Sequence, residues 1–443
     1  MPVFSRENIE KRTLSYRITK FFVDILFKLY FPKRVAGLEN IDFSDILIFA
    51  PNHQNALTDA LAILTMRKWQ PVFLARSDIF QKPIINKILT FLKIMPIFRI
   101  RDGFGTLKQN DAIFRKTIDV LNNRNGLTLM PEGNHDCYRR LRPLKKGIAR
   151  IAFQAMETSE GKMDIKIVPV GIEYSHYYRF GSPMFLKLGE PFNVSDFYQQ
   201  YLENNAKGVN QLIKELHNRI KKEMIHIETE EFYYEYETLM LQGAYNSVIT
   251  NKQRPNSENL FFESKKIVAE LDKISETDSE KFMNLMNFAT KLKNNLSKVG
   301  IKLPINRCQM KGVNLFYKIP TLLATLPIFI YGLLNNMFPF GITAVISSKI
   351  KDTQFISSFR FVAAFVLLPL FYIIQTVIFA VVFKNLWWTL FYFVSLPLSS
   401  ILLQMWRKCF FGTIKELKIL KIRLFNNKLY KDLKKDLETI KLL

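Results

Sequence analysis

The sequence predicts a mixed α/β sheet with flanking helices, an added helical segment, and a C-terminal block of transmembrane helices. Three observations carry this. From about 35 to 245, short apolar runs alternate with helix-length segments, the pattern of strands and helices packed in layers. The stretch 361–383, FVAAFVLLPLFYIIQTVIFAVVF, contains no charged residue, and about 20 apolar residues span a bilayer. Between these regions, 258–274 and 279–297 read as helices, the second opened by a capping box, Thr277-Asp-Ser-Glu280.

In chain order, residues 1–34 read as an amphipathic helix, with Phe21, Phe22, Ile25, Leu26, Leu29 and Tyr30 at helical spacing and Lys20, Lys28, Lys33 and Arg34 alongside. Residues 35–245 form the α/β domain. Its strands are DILIFA (45–50), PVFLA (71–75), LTLM (127–130), IKIVPVGIEY (165–174) and MFLKLG (184–189), and its helices cover 58–67, 106–122 and 144–156. A polar linker at 246–257 begins a segment that runs to 312 and holds these two helices. The membrane block occupies 313–406. Its second uncharged run, 386–406, carries Trp387, Trp388 and Trp406 near its ends, as an interfacial belt does. A further apolar region, 319–346, is broken by Pro320, Pro327, Asn335–Asn336 and Pro339, and reads as a re-entrant or kinked hairpin. The tail, 407–443, has eleven basic and four acidic residues, with Leu429, Leu433, Leu437 and Ile440 on one helical stripe.

Composition narrows the partners. Sixty-three Lys and Arg against 39 Asp and Glu give +24 at pH 7, while an apolar fraction of 48% excludes a disordered chain. Such a charge suits nucleic acid or an anionic membrane. The basic residues bracket apolar spans and amphipathic stripes and do not line one face with interleaved aromatics, so anionic lipid is the expected partner and nucleic acid is not. Three scattered Cys, at 137, 308 and 409, point to a reducing compartment. With no CxxC pair and no His clustered near them, no structural zinc is expected. The polar start, MPVFSRENIEKR, lacks the apolar core of a secretory leader.

Three places in the α/β part carry chemistry. In PNHQNALTDA (51–60), directly after a strand, His53 and Asp59 leave through a short turn into a helix. An Asp on one imidazole nitrogen fixes the tautomer and leaves the other nitrogen as a general base, which needs no Ser or Cys nucleophile if an acceptor hydroxyl attacks. In LMPEGNHD (129–136), Pro131-Glu132-Gly133 puts a carboxylate beside a Gly that permits close approach to the backbone, and Lys145 and Lys146 open the helix downstream, a natural phosphate site. In MPIFRIRDG (95–103), Arg99 and Arg101 alternate onto one side, suited to a bidentate phosphate grip. Each feature alone is commonplace: a capping Asp, a strand-to-turn junction, an exposed edge strand.

Together, and in this order, they resemble the glycerolipid acyltransferase family, the glycerol-3-phosphate and lysophosphatidate acyltransferases. The family's first motif, Asn-His and then Asp after four residues, looks like Asn52-His53 and Asp59 with one extra residue between. Its second is similar at Ile97, Phe98 and Arg101, with Met95 for Gly and Ile100 for Asp. Its third is similar at Pro131, Glu132 and Gly133, with Met130 for Phe and His135 where Arg is usual, and its fourth at Ile167-Val168-Pro169-Val170. The longer His–Asp spacing and Glu-Gly-x-His-Asp look like the fungal-type glycerol-3-phosphate/dihydroxyacetone phosphate branch. The resemblance covers roughly 35–195.

The resemblance implies an α/β acyltransferase domain in which His53, held by Asp59, deprotonates a glycerol hydroxyl that attacks an acyl thioester. Arg101 would hold the acceptor phosphate, and Glu132 with Gly133 would order the acceptor. Asn55, Arg76, Pro131, His135 and Lys145 complete the implied substrate-binding set. No metal or organic cofactor is implied, because the thioester of acyl-CoA or acyl-ACP supplies the driving force. Glycerol-3-phosphate, dihydroxyacetone phosphate and 1-acylglycerol-3-phosphate all fit as acceptors. The alternative is a metal-dependent hydrolase using His53, Asp59, Glu132, His135 and Asp136, although no HxxxH or HxH spacing preorganises a pair. A cytosolic donor and the positive-inside rule together predict a catalytic domain and a basic tail on the cytoplasmic face. The chain then crosses an even number of times, with 319–346 entering and returning near Asn335–Asn336.

Overall fold

The computed structural model describes residues 9–97, 104–312 and 314–440, without the side chains of 104–112 and 307. Two compact units divide it, 1–226 and 227–443.

The first unit opens with α1 (Leu14–Tyr30), capped by Thr13, whose hydroxyl accepts the Tyr16 N–H. There follow β1 (Lys33–Ala36), β2 (Ile46–Pro51), α2 (Leu57–Leu64), β3 (Val72–Arg76), α3 (Pro83–Phe91), β4 (Ile94–Ile97), α4 (Phe104–Asn122), β5 (Leu127–Thr128), α5 (Gly147–Thr158), β6 (Ile165–Tyr174), β7 (Met184–Leu188), β8 (Phe192–Asn193), α6 (Tyr198–Glu203) and α7 (Asn205–Glu223). The strands form one mixed sheet in the order β1-β7-β6-β2-β5-β3-β4, with β8 on β6. Pairing is parallel except where β7 and β8 meet β6. The central strands β2 and β6 are buried along almost their whole length, which explains the apolar runs 46–51 and 167–172: helices cover both faces of a parallel sheet. Ile48, Val72, Leu127 and Ile165 share one core with Phe153 of α5 and Leu212 and Leu216 of α7.

Sequence boundaries held for β2, β3, β6 and β7 to within a residue or two. The strand expected at 127–130 is shorter, because Pro131 and Glu132 turn away from the sheet. The helix expected from 144 starts at Gly147, so Lys145 and Lys146 precede it. Outward from the protein, α1 leaves Phe21, Phe22 and Ile25 exposed, while Tyr16, Val23, Phe27 and Tyr30 face inward.

The second unit contains α8 (Tyr233–Thr250), α9 (Ser257–Thr277), α10 (Ser279–Lys298), α11 (Arg307–Lys311), α12 (Leu315–Ala324), α13 (Leu326–Ser348), α14 (Ile356–Phe383), α15 (Leu386–Phe425) and α16 (Asn427–Thr439). The unit begins before the expected boundary at 245, since α8 packs on α9 and α10 and runs through Thr250 into the expected linker. Asp278, not Thr277, caps α10, its carboxylate accepting the Lys281 N–H. Three helices, α13, α14 with the turn before it, and α15, are long and apolar enough to cross a membrane.

Two expectations are overturned here. The region 319–346 does not turn at Asn335–Asn336: α13 continues through both, because their amides bond within the helix, to Tyr331 and Gly332 carbonyls. The tail stripe does not lie open for a membrane either. Leu433, Leu437 and Ile440 are buried inside the unit, where Asn246 of α8 donates to the Leu437 carbonyl. An amphipathic stripe requires an apolar cover, and this one finds it in the protein.

Candidate active site

The C-terminal ends of parallel β2, β5 and β3 lie on one side of the sheet, where α/β sheets bind ligands. The chain leaves β2 through Asn52, which is fully buried and exchanges two hydrogen bonds with Ile172 of β6: Nδ2 to the carbonyl at 3.2 Å, and Ile172 N–H to Oδ1 at 2.6 Å. This clamps the turn that carries His53. A positive backbone φ at Ala56, 44°, then feeds α2, whose first turn holds Asp59.

His53 Nδ1 lies 2.8 Å from Asp59 Oδ2. The same oxygen accepts the backbone N–H groups of Gln54 and Asn55 at 2.7 Å each, and Oδ1 accepts the Tyr174 hydroxyl at 2.5 Å. Asp59 is wholly buried, yet four donors satisfy its charge, which is the condition for burying a carboxylate. Burial and the Asp59 charge hold the Tyr174 phenol far above its usual range, so it stays a donor. Tyr174→Phe removes one donor from a buried carboxylate. We expect a stability loss of about 1–3 kcal/mol, read as a lower denaturation midpoint.

Glu132 approaches the same turn from β5. Its Oε1 accepts the His53 N–H at 2.6 Å, and its Oε2 accepts the Arg142 Nε at 3.0 Å and backbone N–H at 3.2 Å. Burial pushes this carboxyl upward, against the Arg142 guanidinium and the two backbone donors, which pull it down. Arg142 also donates to the carbonyls of His53, at 3.4 Å, and Asn134. One guanidinium thus ties the Glu132 carboxylate to the His53 backbone. Gly133 has φ +70°, and a Cβ there would press to 3.2 Å from Lys145 Cγ. The His135 ring packs edge-on against the His53 ring, centroids 5.1 Å apart.

The Acyltransferase family model matches residues 33–173, the span that holds all of these groups. The chain carries an acyltransferase-family domain. Glycerol-3-phosphate O-acyltransferase 2 of Saccharomyces cerevisiae is 22% identical over 61% of this chain and 38% of its own length. A chloroplastic 1-acyl-sn-glycerol-3-phosphate acyltransferase of Brassica napus is 26% identical over 36% of this chain and 42% of its own. The chain therefore spans less than half the length of these curated relatives. A crystal structure of the 1-acyl-sn-glycerophosphate acyltransferase of Thermotoga maritima is 20% identical, covering 48% of this chain and 86% of that one, with a TM-score of 0.34.

Within the acyltransferase domain, His53, Asp59, Glu132, Gly133 and His135 come together, and Lys145 joins them through its N–H to the Pro131 carbonyl at 2.7 Å. Asn55 is fully buried with its amide on the Tyr177 carbonyl, 3.1 Å, a bond that braces the turn. Arg76 stands at the end of β3, half-exposed, its guanidinium on Asp78. Arg99 and Arg101 lie outside the described residues. Arg142 and Tyr174 were not legible in the sequence. Both reach the turn from other elements, and no local spacing announces them; the only signal was a basic run, RRLRPLKK, soon after Glu132.

Proposed function

We propose that this chain is a membrane-bound O-acyltransferase that moves a fatty acyl group from a thioester donor to a hydroxyl of glycerol-3-phosphate or 1-acylglycerol-3-phosphate. The observation that carries it is the His53–Asp59 pair at 2.8 Å, with Asp59 fixed by three further donors. With Nδ1–H donated to Asp59, Nε2 keeps its lone pair for the acceptor hydroxyl. That proton passes to His53 as the hydroxyl oxygen bonds to the thioester carbonyl carbon. The tetrahedral intermediate collapses with cleavage of the carbon–sulfur bond, and the imidazolium returns the proton to the leaving thiolate. Atoms balance without a metal or organic cofactor; the donor is acyl-CoA or acyl-ACP. The acceptor classes named for the yeast and plant relatives support the phosphorylated glycerol assignment.

Cations hold the acceptor phosphate in this reading: Lys145 beside Gly133, with Arg101 and Arg76. Arg101→Lys keeps charge but loses the forked geometry, so acceptor KM should rise several-fold while donor KM stays level. An unchanged acceptor KM places Arg101 outside the site. The metal-dependent hydrolase has no observation in its favour: among the described residues no three His, Cys, Asp or Glu side chains converge as a metal site. The catalytic domain is assigned to the cytoplasmic face, where thioester donors are made, on a membrane rich in anionic lipid. Purified protein with labelled acyl donor, offered each acceptor in turn with and without chelator, tests the reading. Transfer to a phosphorylated glycerol, indifferent to chelator, is expected.

A further inference from the structure

The three long apolar helices pack as three pairs, and every pair is antiparallel. Between α13 and α14, Phe338 stacks on Phe371, the Tyr372 hydroxyl donates to Asn336 Oδ1 at 2.7 Å, and Ser347 meets Arg360. Ascending α13 therefore descends α14. Between α13 and α15, Phe329 stacks on Trp406 with centroids 4.0 Å apart. Further along α13, Asn336 Nδ2 donates to Ser399 Oγ at 3.0 Å and Asn335 Oδ1 accepts the Tyr392 hydroxyl at 2.6 Å. Ascending α13 descends α15 too. Between α14 and α15, the turn Lys384–Asn385 closes a hairpin in which Phe379 stacks on Tyr392.

Three helices that each cross a bilayer once alternate in direction. The first and third then run parallel, and the start of the first is separated from the end of the third by about 30 Å of hydrocarbon. Here those ends meet. Lys318 of α12, just before α13, pairs with the fully buried Glu416 of α15 at 2.5 Å, and Trp406 Nε1 donates to the Leu322 carbonyl at 3.3 Å.

The packing resolves into halves. The first half of α13 lies with the later part of α15, its second half with the start of α14, and the end of α14 with the start of α15. The halves join at Asn336, Tyr372 and Ser399. Each helix has an internal Pro within about a turn of that joint, Pro339, Pro369 and Pro397, where a helix axis bends readily. The carbonyl that Pro339 leaves without its helical partner, Asn335 O, accepts Gln375 Nε2 at 2.8 Å. Gly332 lets the backbones meet, since a Cβ there would lie 2.9 Å from Ser399 O.

We infer that this block enters and leaves the bilayer on one face, as two proline-hinged hairpins about a polar joint, and does not make three crossings. This rests on the membrane reading above, and its test is independent of enzymatic activity. The full chain, with its three Cys replaced by Ser, is placed in membranes with single Cys at Tyr317→Cys or Phe425→Cys and exposed to an impermeant maleimide from either side. Both positions should label from the same face. In a second variant, Lys318→Cys with Glu416→Cys should be joined by a short bis-maleimide within the membrane, because the two long side chains meet at their tips, beyond the reach of a disulfide. Labelling from opposite faces overturns the inference, and decides alone if the double variant does not insert. Carbonate extraction of the same membranes separates the two claims. Release of the chain overturns the bilayer reading and this inference with it, whereas retention with opposite-face labelling overturns the inference alone.

Discussion

His53→Ala should remove nearly all acyl transfer, by roughly 10²–10⁴-fold in kcat, while the domain stays folded. The fold survives because the ring makes few structural bonds. The His53 backbone, through its N–H to Glu132 and its carbonyl to Arg142 and the Asp136 N–H, is what stitches the turn, and alanine keeps all of it. Asp59→Asn should cost less. The amide oxygen can replace Oδ2 toward His53, Gln54 and Asn55, and the amide NH2 can face the Tyr174 hydroxyl, which accepts as well as donates. The geometry is kept, and what is lost is the charge that stabilises the imidazolium. Steady-state rates of the two variants, beside circular dichroism to confirm folding, read the difference; equal loss in both would mean that Asp59 acts by charge alone.

The largest stability effect belongs to Arg142→Met. Its removal leaves the Glu132 carboxylate, buried at 2% side-chain exposure, with backbone donors only. Breaking one partner of a buried ion pair costs about 3–5 kcal/mol. The sign of its pH dependence follows from the direction of the Glu132 shift. A carboxyl whose folded pKa lies above its unfolded value favours the folded state at low pH, and that contribution is lost as pH rises through the folded pKa. Without Arg142 the carboxyl moves further up. The deficit against the parent protein should therefore grow from the ordinary Glu range upward and shrink on acidification. Denaturation midpoints of both proteins across that window measure it; a deficit that ignores pH would place the cost in packing instead.

Period and spacing made much of this site legible. The apolar runs 46–51 of β2 and 167–172 of β6 are what a strand covered on both faces requires, and the residues directly after β2 and β5 are where a parallel sheet exposes its chemistry. His53, Asp59, Glu132 and His135 converge because two neighbouring strands end side by side. Arg142 and Tyr174 were hidden because their bonds have no fixed local spacing: Arg142 folds back on Glu132 from ten residues along the same connection and reaches the distant His53 carbonyl, and Tyr174 reads as one more strand residue until its hydroxyl is seen on Asp59. Asn335–Asn336 misled because two Asn followed by Pro form a turn signal in isolation, whereas here neighbouring helices supply the missing bonds. The Leu433 stripe shows the matching ambiguity: periodicity reveals that a face must be covered, not by what.

The central claim is that His53 takes a proton from an acceptor hydroxyl so that an acyl group moves from sulfur to oxygen. Its most direct measurement is transfer of labelled acyl group from thioester to glycerol-3-phosphate or 1-acylglycerol-3-phosphate by the membrane-reconstituted chain, set against His53→Ala. The expected result is an ester product with release of one free thiol per turn, nearly absent in the variant. Product formed at the parental rate by His53→Ala would contradict it.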